Sequence, residues 1–263
     1  MPNATDAAGA MATSTPMARG NLRRMTPPSD QSSDPALLAR IARTLFTHDA
    51  AGNIVDVNEP DGPRAPRFYV AWNAHGVLWR VRHDVPPGLV DRIASLLAAQ
   101  PSSSDLVHPL ACTPSICAAL AEHAPVAADP DGGIEYVFPD ALDAPGGTTV
   151  VTANDAGVLE RWLPAWKRDA ALGLPFVVLL VDGAAVSVCA SVRTPGDSTA
   201  AGLETHAAFR GRGHAGAVTA AWAQEVRARG VFPFYGTSWR NHASQRVAAK
   251  LALIPIAGSL SIA

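Results

Sequence analysis

Cysteine is the first scarcity. The 263 residues hold three, Cys112, Cys117 and Cys189, too few and too odd a set for a disulfide framework, and they fit a reducing, cytoplasmic compartment. Cys112 and Cys117 have no further cysteine pair to complete a zinc site, so no metal is expected. Charge is thin too: Asp, Glu, Lys and Arg make up 17% and the formal net charge is −2, which argues against a dedicated nucleic-acid binder. No apolar run is long enough for a membrane. Leu174 to Val192 comes closest, but Asp182-Gly183, a hairpin turn signal, breaks it into two strands. G-x-x-x-x-G-K-[ST] and G-x-S-x-G do not occur, which removes a P-loop and a hydrolase nucleophile elbow.

What is abundant is apolar side chain, 48% of the residues, enough for one large domain or two small ones. Residues 1–33, rich in Ala, Ser, Thr, Pro and Met, lack apolar periodicity and a signal-peptide core, and read as a disordered tail. Residues 34–147 read as an α+β domain: a helix over 34–46, strands at 54–57, 68–72 and 77–81, helices over 86–99 and 115–122, a strand at 136–138 and a linker over 139–147. This half carries no recognisable catalytic motif. A degenerate copy of the second half, a lid and a dimerisation module are all open, and with the last of these a homodimer. Residues 148–263 read as a second domain. Thr152 to Ala170 should include a helix with Leu159, Trp162 and Trp166 on one side, interrupted at Pro164. Those tryptophans are either core or part of a binding site.

The informative stretch runs from Glu204 to Leu251. Arg210-Gly211-Arg212-Gly213-His214-Ala215-Gly216 joins a strand-like run to a helix-like run. A glycine-rich turn at a helix N-terminus presents free N–H groups and the positive end of the helix dipole, which is an anion site. Two arginines add charge for a phosphate. Residues 193–250 hold eight Arg or Lys and three Asp or Glu, a basic field suited to an anionic cofactor. Gly211 to Gly216 also fits G-x-G-x-x-G, but no acid follows about 20 residues later and too little chain remains for a doubly wound sheet.

Three further features accompany the turn: Glu204-Thr205 before it, Pro233-Phe234-Tyr235 in the next strand, and Asn241-His242-Ala243-Ser244 opening a helix that ends at Lys250-Leu251-Ala252-Leu253. Together they resemble the GNAT superfamily of N-acetyltransferases over residues 150–263. The family's [RQ]-x-x-G-x-[GA] is met by Arg210, Gly213 and Ala215. The resemblance implies an α/β (α+β) fold: a mixed, mostly antiparallel sheet flanked by helices. It implies acetyl-CoA as co-substrate and a primary amine of a small molecule or peptide as acceptor. By resemblance, pantetheine lies along Thr205, His206 and Ala207, and the pyrophosphate on the N–H groups of Arg210, Gly211, Arg212, Gly213, His214, Ala215 and Gly216. Asn241 and Ser244 then face the pantetheine or adenosine, although Asn241 is equally a plain helix N-cap. Glu204 is the candidate general base, its alternative a salt bridge to Arg193; His206 is a second candidate. Many members carry a tyrosine as general acid where this chain has Ala248. Tyr235 and Ser244 are nearby, neither at that position. A non-catalytic acyl-CoA sensor is therefore the competing reading.

Overall fold

The computed structural model describes residues 35–127 and 130–263; the tail expected over 1–33 lies outside the described residues. The chain opens with α1 (Pro35–Leu45), which runs into a small antiparallel pair, β1 (Phe46–His48) and β2 (Ile54–Val57). Then come β3 (Phe68–Asn73), β4 (Gly76–Val81), α2 (Pro87–Ala98), α3 (Thr113–Ala121) and β5 (Asp131–Val137). After β6 (Thr148–Val150), two 3-10 segments, Ala153–Leu159 and Pro164–Trp166, lead to the short α4 (Lys167–Ala170). The second half continues with β7 (Phe176–Val181), β8 (Ala184–Arg193), β9 (Ser198–Thr205), α5 (His214–Ala228), β10 (Phe232–Ser238), α6 (His242–Lys250) and β11 (Ile254–Ile262).

Nine of these strands form one sheet in the order β4-β3-β11-β5-β10-β9-β8-β7-β6. Every neighbouring pair is antiparallel except β9 with β10. The fold is thus a mixed α/β structure with a large, mostly antiparallel sheet flanked by helices. Strands from 34–147 and from 148–263 interleave in it, with β5 seated between β10 and β11.

Alternation along the strands sends successive side chains to opposite faces, and helices cover both. Tyr69 and Ala71 of β3 pack with Leu37, Leu38 and Ile41 of α1. Phe68, Val70 and Trp72 of the same strand pack with Ile93 of α2 and Ile116 and Leu120 of α3. Farther along, Cys189 and Tyr235 meet Val218 and Trp222 of α5 and Ala248 of α6, while Val178 and Val188 meet Leu159 and Leu163. The expected hairpin at Asp182-Gly183 is present, both residues at positive φ (49° and 76°). The helix expected within Thr152 to Ala170 is instead broken into 3-10 turns and the four residues of α4. Pro164 cannot donate a backbone hydrogen bond in a helix interior, so a single helix does not run through it. Among the described residues no helix is long and apolar enough to cross a membrane, and none of their His, Cys, Asp and Glu side chains cluster to hold a metal ion.

Candidate functional site

The sheet has a gap at its one parallel junction. β9 and β10 pair only from Phe232 opposite Ser198 to Phe234 opposite Ala200. Beyond that point β9 stays paired with β8 as far as Thr205, and β10 stays paired with β5 as far as Ser238. The facing edges of Ala201–Thr205 and Tyr235–Ser238 are therefore not paired with each other. Such an edge accepts an extended ligand by main-chain hydrogen bonds, as a sheet accepts an added strand.

Two cavities lie along this stretch of β9. The larger, about 480 Å³, is lined by Leu203, Glu204 and Thr205, by the glycine turn, and by one side of α6. The turn forms because Gly211 and Gly213 hold φ values of +79° and +85°, a left-handed conformation that costs glycine nothing. A Cβ at either position would meet no protein atom within 4 Å. Backbone conformation, rather than crowding inside the protein, is what requires glycine there. α5 is rich in alanine, the best helix former, and it has no acidic residue in its first turn to offset its dipole. The first N–H groups of a helix have no intrahelical acceptor, and the bond that closes the first turn is from Ala217 N to Gly213 O, 3.2 Å. Arg210, His214, Arg246 and Lys250 also line the cavity, against one carboxylate, Glu204. The arrangement is a mouth for a polyanion.

The sequence-derived residues divide into two groups. Glu204, Thr205, Arg210, Gly211, Gly213, His214, Ala215, Gly216, Asn241 and Ser244 all line this cavity. His206, Ala207, Arg212 and Tyr235 do not. The His206 ring stacks on Trp162 with centroids 4.7 Å apart, and its Nδ1 accepts from Ala208 N. Arg212 turns back over the Phe209 ring and donates to Ala208 O. Tyr235 is 2% exposed, in the core under α5 and α6. Its hydroxyl is 2.7 Å from Ser244 Oγ, and burial raises its pKa to about 12. Tyr235 therefore reaches the cavity only through Ser244.

Glu204 is exposed at the end of β9 and accepts a 2.6 Å hydrogen bond from Trp166 Nε1. The alternative partner, Arg193, is instead bound to Glu59 at 3.0 to 3.1 Å. Asn241 is an N-cap, its Oδ1 accepting from Ser244 N at 3.0 Å. Ala248 is buried in α6.

The second cavity, about 300 Å³, sits where β9 and β10 part and is lined by Ala200, Ala201, Gly236 and Ser238 together with Tyr69, Glu135, Arg193 and Glu59. Tyr69, Glu135 and Glu59 belong to the half in which sequence reasoning found no site. One signal was present: Glu135 is an acid set within the run Ile134-Glu135-Tyr136-Val137 of β5.

Residues 177–257, from β7 into β11, match the family model described as FR47-like protein. That segment lies inside the stretch that resembles the GNAT superfamily and contains the glycine turn. A search of curated proteins gives no match. Among solved structures, the chain is similar to a GNAT-family protein from Novosphingobium aromaticivorans DSM 12444, at 16% identity and TM-score 0.44 over 52% of this chain and 66% of that one. A GCN5-related N-acetyltransferase from Kribbella flavida is 21% identical at TM-score 0.42, over 57% and 63%. A GCN5-related N-acetyltransferase-like protein from Streptococcus suis 89/1591 is 15% identical at TM-score 0.43, over 77% and 86%. The chain spans slightly under two thirds of the first two.

Proposed function

We propose that the protein transfers an acetyl group from acetyl-CoA to a primary amine. The observation that carries this reading is the parting of β9 from β10 beside a polycationic, glycine-lined helix N-terminus. It joins an extended slot to an anion-binding mouth. The N–H groups from Gly211 to Gly216, with Arg210, Arg246 and Lys250, would hold the diphosphate; the free edge of β9 would hold the pantetheine. Bound there, the co-substrate supplies an activated thioester.

The chemistry left for side chains is modest. The amine nitrogen bonds to the acyl carbon as the C–S bond breaks and its electron pair goes to sulfur. An ammonium loses two protons in all: one ends on sulfur as the thiol, and the other leaves for solvent. Glu204 is the base we assign to the first deprotonation, directly or through water, with Trp166 fixing the carboxylate. Tyr235 fixes Ser244 at the cavity wall in the same way. A cytoplasmic setting belongs to the same proposal, supported by the sparse, free cysteines.

Calorimetric titration of coenzyme A followed by a thiol-release assay with acetyl-CoA and an amine panel tests the reading. Binding with thiol release is expected. The specific observation favouring a sensor is Ala248, an alanine where a general acid would stand; binding without release for every amine would decide for that alternative. No binding would remove both.

A further inference from the structure

The cavity at the parting of β9 and β10 is lined by a buried carboxylate. Glu135 is 8% exposed in the middle of a nine-stranded sheet. Burying a carboxylate is costly unless hydrogen bonds or an opposite charge compensate it. Ser259 Oγ donates to Glu135 Oε1 at 2.8 Å. The other oxygen lies over Gly236, where an added Cβ would come within 2.8 Å of Oε2. The bare position at 236 keeps room for the carboxylate at the edge of the gap.

A second, independent feature points into the same space. The Tyr69 hydroxyl is fully buried and has no hydrogen-bond partner, an arrangement rare in native interiors, where such a group usually has a functional role or meets a water or an ion. It lies in the fields of Glu135 and Arg193, and its pKa is held well above the ordinary value, first by burial and then by Glu135. The phenol is therefore neutral, with lone pairs for a donor. The cavity lining carries two carboxylates, Glu59 and Glu135, against one guanidinium, Arg193. An incoming positive charge would balance that set.

We infer that this cavity is the acceptor site, that it takes a compact amine in its protonated form, and that Glu135 and Tyr69 are the groups that receive its ammonium. The inference rests on the transferase reading above and narrows its substrate class. The two cavities share β9, where Ala200 and Ala201 line one and Leu203 to Thr205 the other, so the inferred acceptor site and the proposed thioester slot lie along one strand. Leu45 and Phe46, at the junction of α1 and β1, close over the pocket. Its 300 Å³ is at the small end for ligand sites, which suits a small molecule better than a peptide terminus.

The test is an NMR titration of the ¹⁵N-labelled full chain with n-butylammonium and 1,4-diaminobutane, with n-butanol as neutral comparator and trialanine as peptide comparator. Coenzyme A affinity is measured separately by calorimetry. The Gly132, Gly133 and Gly236 amides, all in the cavity wall, should shift with the two amines and not with butanol. Glu135→Gln should weaken amine binding at least tenfold and leave coenzyme A affinity within twofold; Tyr69→Phe should weaken amine binding several-fold. Silent glycine amides, undiminished amine binding in Glu135→Gln, or trialanine binding as tightly as butylammonium would overturn the inference while coenzyme A binding still stood. If Glu135→Gln does not fold, Tyr69→Phe decides, and unchanged amine affinity there overturns it. Amine binding without coenzyme A binding would instead overturn the transferase reading and support an ammonium site.

Discussion

The two ends of the gap between β9 and β10 are assembled over very different distances along the chain. At the anion end the contacts are local: Arg210 Nε reaches Thr205 O five residues away, and Ser244 N reaches Asn241 Oδ1 three residues away. At the acceptor end they are remote. Ser259 meets Glu135 across 124 residues, and Arg193 meets Glu59 across 134. On the proposed reading, cofactor grip belongs to one contiguous stretch, whereas acceptor choice belongs to the whole sheet.

The strongest way to break this comparison is through the residue that stands between the ends. Glu204→Gln should lower kcat by about 100-fold or more, the usual scale for a general base, with coenzyme A affinity unaltered. An unaltered rate at neutral pH would remove Glu204 from the mechanism. Next comes Gly213→Val, which forces a β-branched residue to φ +85°. The strain, about 1–3 kcal/mol, should weaken coenzyme A roughly tenfold or more and leave the amide response of Gly236 to butylammonium intact. Loss of both together would show that the two ends are not separable. A smaller effect is expected for Tyr235→Phe, which deletes the hydrogen bond to Ser244 and should cost about 1 kcal/mol of stability in urea denaturation.

The finest test is alkaline. The chain has three tyrosines, and burial raises the pKa of Tyr69, Tyr136 and Tyr235 alike. For a group whose folded pKa is raised, the stability it contributes is complete below the unfolded value, about 10. It is lost as pH climbs through the folded value, about 12 for Tyr235. Native protein should thus show little tyrosinate absorbance at pH 10, unfolded protein about half-ionised tyrosine, and unfolding free energy should fall from pH 10 upward. Tyrosinate appearing at pH 10 in the native state would show that the core under α5 and α6 is open to water.

What could be read in advance follows the same division. The glycine turn, α5, the Asn241 cap and the Asp182-Gly183 hairpin are set by neighbours within a few residues, and each stands where residue type alone places it. The parting of β9 from β10 was not legible, because strand register depends on partners far away in the chain. Glu135 was missed for that reason: an acid between Ile134 and Tyr136 is conspicuous, but nothing local says that Gly236 and Ser259 will flank it. The interruption expected at Pro164 is present, but the chain on either side of it forms 3-10 turns and a four-residue helix rather than a longer helix, and those tryptophans contact His206 and Glu204.

The seating of β5 between β10 and β11 also bears on how the molecule comes into being. While the polypeptide is still emerging from the ribosome, β5 has neither of these neighbours, and β3 waits for β11 as well. The smaller cavity therefore has no finished wall until Ser259, 124 residues after Glu135, falls into register, and closing such long loops is slow. Severed from the first half, residues 148–263 would leave β10 with one unpaired rim and β11 with neither of its partners, an invitation to stick to other copies. On the proposed reading, acceptor specificity and protection from aggregation thus depend on the same inserted ribbon.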